Sequence, residues 1–108
     1  MEKKNNFVAI FCIVNQGFTD LVMEAARKEG ARGGTVMHAR GTGNKDIENF
    51  YGIAITPEKE IVMIVVEKKI AEKVMLAINN DAGLDTAGQG IAFALPVSDV
   101  VGINTNNN

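Results

Sequence analysis

The six residues Ile61–Val66 read IVMIVV, rich in branched side chains and bounded by charge on both sides, which is the pattern of a buried strand. Successive side chains of a strand point to opposite faces. Here both alternating sets are apolar, so the strand needs cover on both of its faces. Whatever else the chain contains has to supply two layers around it.

Two segments can supply one of those layers. Phe18, Leu21, Val22, Ala25 and Ala26 recur at helical spacing, with Thr19 or Asp20 as candidate caps and Gly30 as a left-handed stop. Ala71, Val74, Met75 and Ile78 form a second such stripe, and Gly83 stands where that helix would end. Three further strands are predicted, over Phe7–Val14, over Thr35–Ala39, and over "IAFAL" with Pro96 closing it. A loop is expected from Thr42 to Glu60. Residues 1–104 are read as one domain and 105–108, rich in asparagine, as a loose tail.

The order strand, helix, strand, repeated twice, is the ferredoxin-like βαββαβ arrangement: an α+β fold with a four-stranded antiparallel sheet and two helices on one face. The helices cover one face only. The other is expected to be covered by further copies of the chain in a closed homo-oligomer.

At 108 residues and a net charge of −2, the chain lacks the basic surface that non-specific nucleic-acid binding needs. The apolar run near the start is too short for a membrane span and has no small-residue cleavage site after it, so a strand is expected and membrane insertion is not. The one cysteine, Cys12, sits inside that strand. No intrachain disulfide can form, and a reducing cytoplasmic setting is expected.

No catalytic residue and no metal site are expected. His38 is the only histidine; beside the glycine turn it could face a ligand, but with no acidic or nucleophilic partner nearby in sequence it is read as an ordinary strand residue. No H-x-x-H or C-x-x-C occurs, against the spacing that soft metals require. The loop carboxylates Asp46, Glu48, Glu58 and Glu60 are read as a solvated face.

Glycines at Gly41 and Gly43 after the second strand, a long loop beyond them, the strand EIVMIVV, and GQGIAF followed by VSDVVGI together resemble the P-II nitrogen-regulatory signalling family over Phe7 to Ile103. The resemblance implies a homotrimer with sheets facing inward, an adenine nucleotide or other small effector in clefts between subunits, and a loop, here 42–60, that reaches a protein target such as a transporter or an enzyme. Carried over residue by residue, the ligand-binding set is Gly41, Thr42, Gly43, Asn44, Lys45, Gly88, Gln89, Gly90 and Ile91. Glycines there let backbone N–H groups approach an anion. Phe50, Tyr51 and Ile53 form the expected partner-contact patch.

The chain departs from the family in its charges. Ile91 stands where a lysine is usual, Gly102 and Asn104 match two arginines, the lysine that opens the third strand falls near Glu58, and Asn44 and Lys45 stand where an arginine and a metal-associated glutamine are usual. Hydrogen bonds to charged groups contribute about 1.5 to 3 kcal/mol each, so the loss of three removes roughly 5 to 9 kcal/mol of phosphate recognition. Unless Arg32, Arg40, Lys45 or Lys59 substitutes from another direction, ATP held in the usual family manner is therefore not expected. A less highly charged ligand is, such as a nucleoside monophosphate or a small anion. The alternative is a trimeric structural or divalent-cation-handling protein of similar fold without nucleotide sensing.

Overall fold

The computed structural model describes residues 6–41, 48–50, 53–55, 58–84 and 90–103. The elements in chain order are β1 Phe7–Asn15, α1 Thr19–Lys28, β2 Thr35–Arg40, β3 Glu48–Phe50, β4 Ile53–Ile55, β5 Glu58–Glu67, α2 Lys68–Ala82 and β6 Gly90–Val97. Four strands form one sheet in the order β2-β5-β1-β6, and β3 pairs with β4 as a separate ribbon. All pairings are antiparallel. The ferredoxin-like order expected from the sequence is present.

β5 and β1 occupy the centre, which is why their sequences are the most apolar. On one side Val62, Ile64 and Val66 of β5 meet Val8, Ile10, Cys12 and Val14 of β1, and this face is sealed by Val22, Ala25 and Ala26 of α1 and Val74 and Ile78 of α2. The small residues of α1 let its backbone come close to the sheet. On the other side Ile61, Met63 and Val65 are only half-buried. The register sets them beside Met37 of β2, and sets Phe11 and Ile13 of β1 beside Phe93 and Ile91 of β6. Met37, Ile91, Phe93 and Leu95 are exposed. No described element of the chain covers this open face.

Both helices stop where glycine allows it. The Ala31 N–H donates to the Ala26 carbonyl and the Gly30 N–H to that of Arg27, with Gly30 at φ +108°, the paired bonds of a glycine C-terminal cap. Gly83 at φ +66° ends α2. The start of α1 differs from expectation: Phe18 occupies the capping position with no side-chain cap, because the turn is closed by the backbone, the Phe18 N–H donating to Asn15 O and the Val22 N–H to Phe18 O. Lys28 and Asp81 join the outer ends of the two helices at 2.7 Å. The Asp81 carboxylate raises the Lys28 ammonium pKa, but an exposed pair of this kind contributes little to stability.

The strands depart from the sequence reading at three places. The third strand of the sheet begins at Glu58 rather than Ile61, because its charged residues find partners on β1 and on the turn after it. The segment expected to be loop contains the β3–β4 ribbon. Pro96 lies inside β6, opposite Val8. β6 is an edge strand, where a missing N–H is tolerated. The asparagine tail after Ile103 lies outside the described residues.

Cys12 is fully buried under the helices, and burial pushes its thiol up to about 11. At pH 8 only roughly one molecule in a thousand would carry the reactive thiolate. A thiol-disulfide reagent at that pH is expected to label the folded chain hardly at all and the denatured chain fully. Rapid labelling of the folded chain would contradict this placement.

Candidate functional site

The polar features gather at the end of the sheet where β2 and β1 finish and where β5 and β6 begin. Gly41 follows β2 on one edge and Gly90 opens β6 on the other. Strands lie about 4.8 Å apart, so the two glycines stand roughly 14 Å from one another across the sheet. Between them are Lys59 on β5 and Asn15 on β1, directly paired in the ladder.

Lys59 is buried. By alternation it shares the open face with Ile61 and Met63, and its Nζ donates to Asn15 Oδ1 at 2.5 Å. Glu60, the next residue, lies on the helix side, where its Oε1 accepts the Gly17 N–H at 3.0 Å and its Oε2 lies 3.8 Å from His38 Nδ1. The Gln16 N–H donates to Glu58 O. The start of β5, which leaves the long connection after β2, is thus fastened at three consecutive residues to the end of β1 and the turn after it.

Gly90 has φ +150°, and a Cβ there would press into the Ile13 carbonyl oxygen and Val14 Cγ1. Glycine is required at this point because β6 comes so close to β1 as it enters the sheet. Ile91, which follows it, is exposed on the open face.

A cleft of about 530 Å³ lies at the opposite end of the sheet. It is bounded by the turn after α1 from Gly30 to Gly33, by the end of β5 and the start of α2, and by Gly102 and Ile103. Phe7, Val65 and Ile70 give it an apolar floor, while Arg32, Glu67 and Lys69 supply charge. From Lys59 to Val65 is six residues of strand, about 20 Å. One small ligand cannot touch both ends within one chain.

Of the residues expected to bind ligand, Gly41, Gly90 and Ile91 are described and share one end of the sheet. Thr42, Gly43, Asn44, Lys45, Gly88 and Gln89 lie outside the described residues, as does Tyr51. Phe50 and Ile53 are paired in the backbone register of the β3–β4 ribbon. The resemblance puts the family lysine near Glu58, an exposed position; the buried lysine stands one residue later, at Lys59. Strand alternation starting from Ile61 was the signal that could have found it. Among the described residues, no group of three or more His, Cys, Asp or Glu side chains could hold a metal ion. No described helix is long and apolar enough to cross a membrane.

A comparison with curated protein sequences finds no match. Among solved structures, the crystal structure of Arabidopsis thaliana PII bound to citrate is similar over 96% of this chain and 89% of that one, with 32% identity and a TM-score of 0.71. A family model described as nitrogen regulatory protein P-II matches residues 8–107, so the match includes both the lysine-bearing end of the sheet and the cleft at the other end. Proteins of this family are regulatory rather than enzymatic, bind small effectors and typically form trimers. A match over nearly the whole length, together with the shared fold, makes this chain a member of the P-II family.

Proposed function

We propose that the chain is a cytoplasmic P-II-type regulator, not an enzyme, that assembles as a homotrimer and binds a small anionic metabolite in crevices between its copies. The observation that carries this reading is the buried Lys59 ammonium, held by Asn15 on an open apolar face between two glycine turns. Copies packed through that face bring the lysine-bearing end of one chain toward the cleft end of another. Gly41 to Lys45 and Gly88 to Ile91 then line the crevice, backbone N–H groups of the glycines facing the anion.

The residues fit a modestly charged ligand better than a triphosphate. Lys59 is one cation, and Ile91 and Gly102 bring none where the family usually has a lysine and an arginine. That the Arabidopsis PII structure is bound to citrate supports including a small carboxylate among the candidate ligands. Signalling follows if ligand contacts the two states of segment 42–60 unequally, with Phe50, Tyr51 and Ile53 meeting the target protein.

Calorimetry with citrate, AMP, ADP and ATP tests the ligand class. Citrate or AMP is expected to bind at least about tenfold tighter than ATP, a difference of about 1.4 kcal/mol, with one site per chain. Lys59→Ala should lose about 1.5 to 3 kcal/mol of that binding. ATP binding tighter than the others, or an unaltered affinity in Lys59→Ala, would contradict the reading.

A further inference from the structure

We infer that Glu60 is a positioning residue whose task is to hold its neighbour Lys59 on the ligand-bearing face; the inference rests on the proposed role of Lys59. Glu60 is an unusual residue for its place. Its side chain is 12% exposed, at the end of a row that continues into Val62, Ile64 and Val66 beneath the helices.

The compensation for burying a carboxylate there is slight. One oxygen accepts the Gly17 N–H; the other lies 3.8 Å from an imidazole that is itself 73% exposed. On the same side, Glu58 precedes it by two residues and Arg40 pairs with Glu58 on β2. Val14 stands opposite it on β1. A buried charge held this thinly adds little stability against an apolar residue of similar size, and its best-attested use is to fix register.

Register matters here more than elsewhere in the sheet. Side chains alternate, so a slip of one residue exchanges the faces of Lys59 and Glu60. Glu58, Lys59 and Glu60 carry no apolar side chain, so the alternation that fixes register from Ile61 onward is missing at the start of β5. With the Glu60 carboxylate tied to Gly17 on the helix side, the Lys59 ammonium is committed to the open side, where it reaches Asn15.

The test separates position from stability. Glu60→Ser removes the carboxylate acceptor and adds no apolar side chain that would pin the same register. Glu60→Gln keeps an oxygen that accepts the Gly17 N–H, and Val62→Ala weakens the core without touching the contact. Each chain is acetylated by a water-soluble acylating reagent, and the rate at Lys59 is read by mass spectrometry relative to Lys69, which is exposed. Lys59 is expected to react about tenfold faster in Glu60→Ser, and to remain protected in Glu60→Gln and Val62→Ala. Unchanged protection in Glu60→Ser, or equal deprotection in Val62→Ala, would overturn the inference.

Citrate titrations of the same variants form the second arm. Affinity should fall in Glu60→Ser and recover in Glu60→Gln, and Glu60→Ser should add no further loss in a Lys59→Ala background. An additive loss would count against positioning. Failure of the unmodified chain to bind citrate would strike the proposed ligand class, while the acetylation rates would still decide the role of Glu60.

Discussion

Replacing Phe93 with Glu is expected to turn an assembly of three chains into single folded chains. Phe93 is 38% exposed in the isolated chain, and its ring stacks on Phe11 at 5.5 Å with 15° between planes. Ile91 and Leu95 flank it on the same face of β6. In the single chain a carboxylate at this position stays in water and costs the fold little. Between copies it is buried without a partner, at a cost of several kcal/mol for each chain. Symmetry would also bring like charges together. Light scattering should report the mass of one chain, with a circular dichroism spectrum like that of the parent. A variant that keeps the parent's mass would show that the open face is not where copies meet.

Gly90→Ala should produce the largest loss of stability of any single methyl addition at a described glycine. Its φ of +150° is strained for a side chain, and the added carbon meets the Ile13 backbone oxygen, which has no rotamer in which to move aside. β6 would have to part from β1 at its first residue. Strain and overpacking together suggest about 3 kcal/mol, or a fall of roughly 10 to 20 °C in melting temperature for a domain of this size. Gly17→Ala is the control: it shares a left-handed φ of +99° but meets open space, so about 1 kcal/mol is expected. A Gly90→Ala chain that melts within about 2 °C of the parent would contradict the close approach of the two strands.

Much of the fold was legible because single segments carried it. IVMIVV, apolar on both faces, demanded a central strand with two covers, and it lies beside β1 at the centre of the sheet with one face still open. Gly30 and Gly83 end the two helices, as their places after the apolar stripes implied. Local patterns failed where the deciding contact is distant in sequence. Glu58, Lys59 and Glu60 read as the charged rim of a loop, yet they begin β5, because Lys59 meets Asn15 and Glu60 meets Gly17, residues more than forty positions earlier.

The candidate site divides along the same line. Gly90 was singled out as a place of close approach, and the neighbour it approaches is β1. The two glycine turns are expected to line clefts between copies; within one chain Gly41 and Gly90 stand on opposite edges of the sheet with Lys59 between them. That arrangement depends on strand order, which no local motif encodes. The cleft bounded by Gly30, Glu67 and Ile103 gave no sequence signal, because its lining comes from three separate stretches of ordinary composition.

Sedimentation of the unmodified chain at low micromolar concentration bears most directly on whether copies shield the open sheet. A single boundary at three times the chain mass of 11.6 kDa is the predicted result. A single boundary at 11.6 kDa would contradict it, leaving the apolar face in water and the two ends of the site with nothing to bring them together.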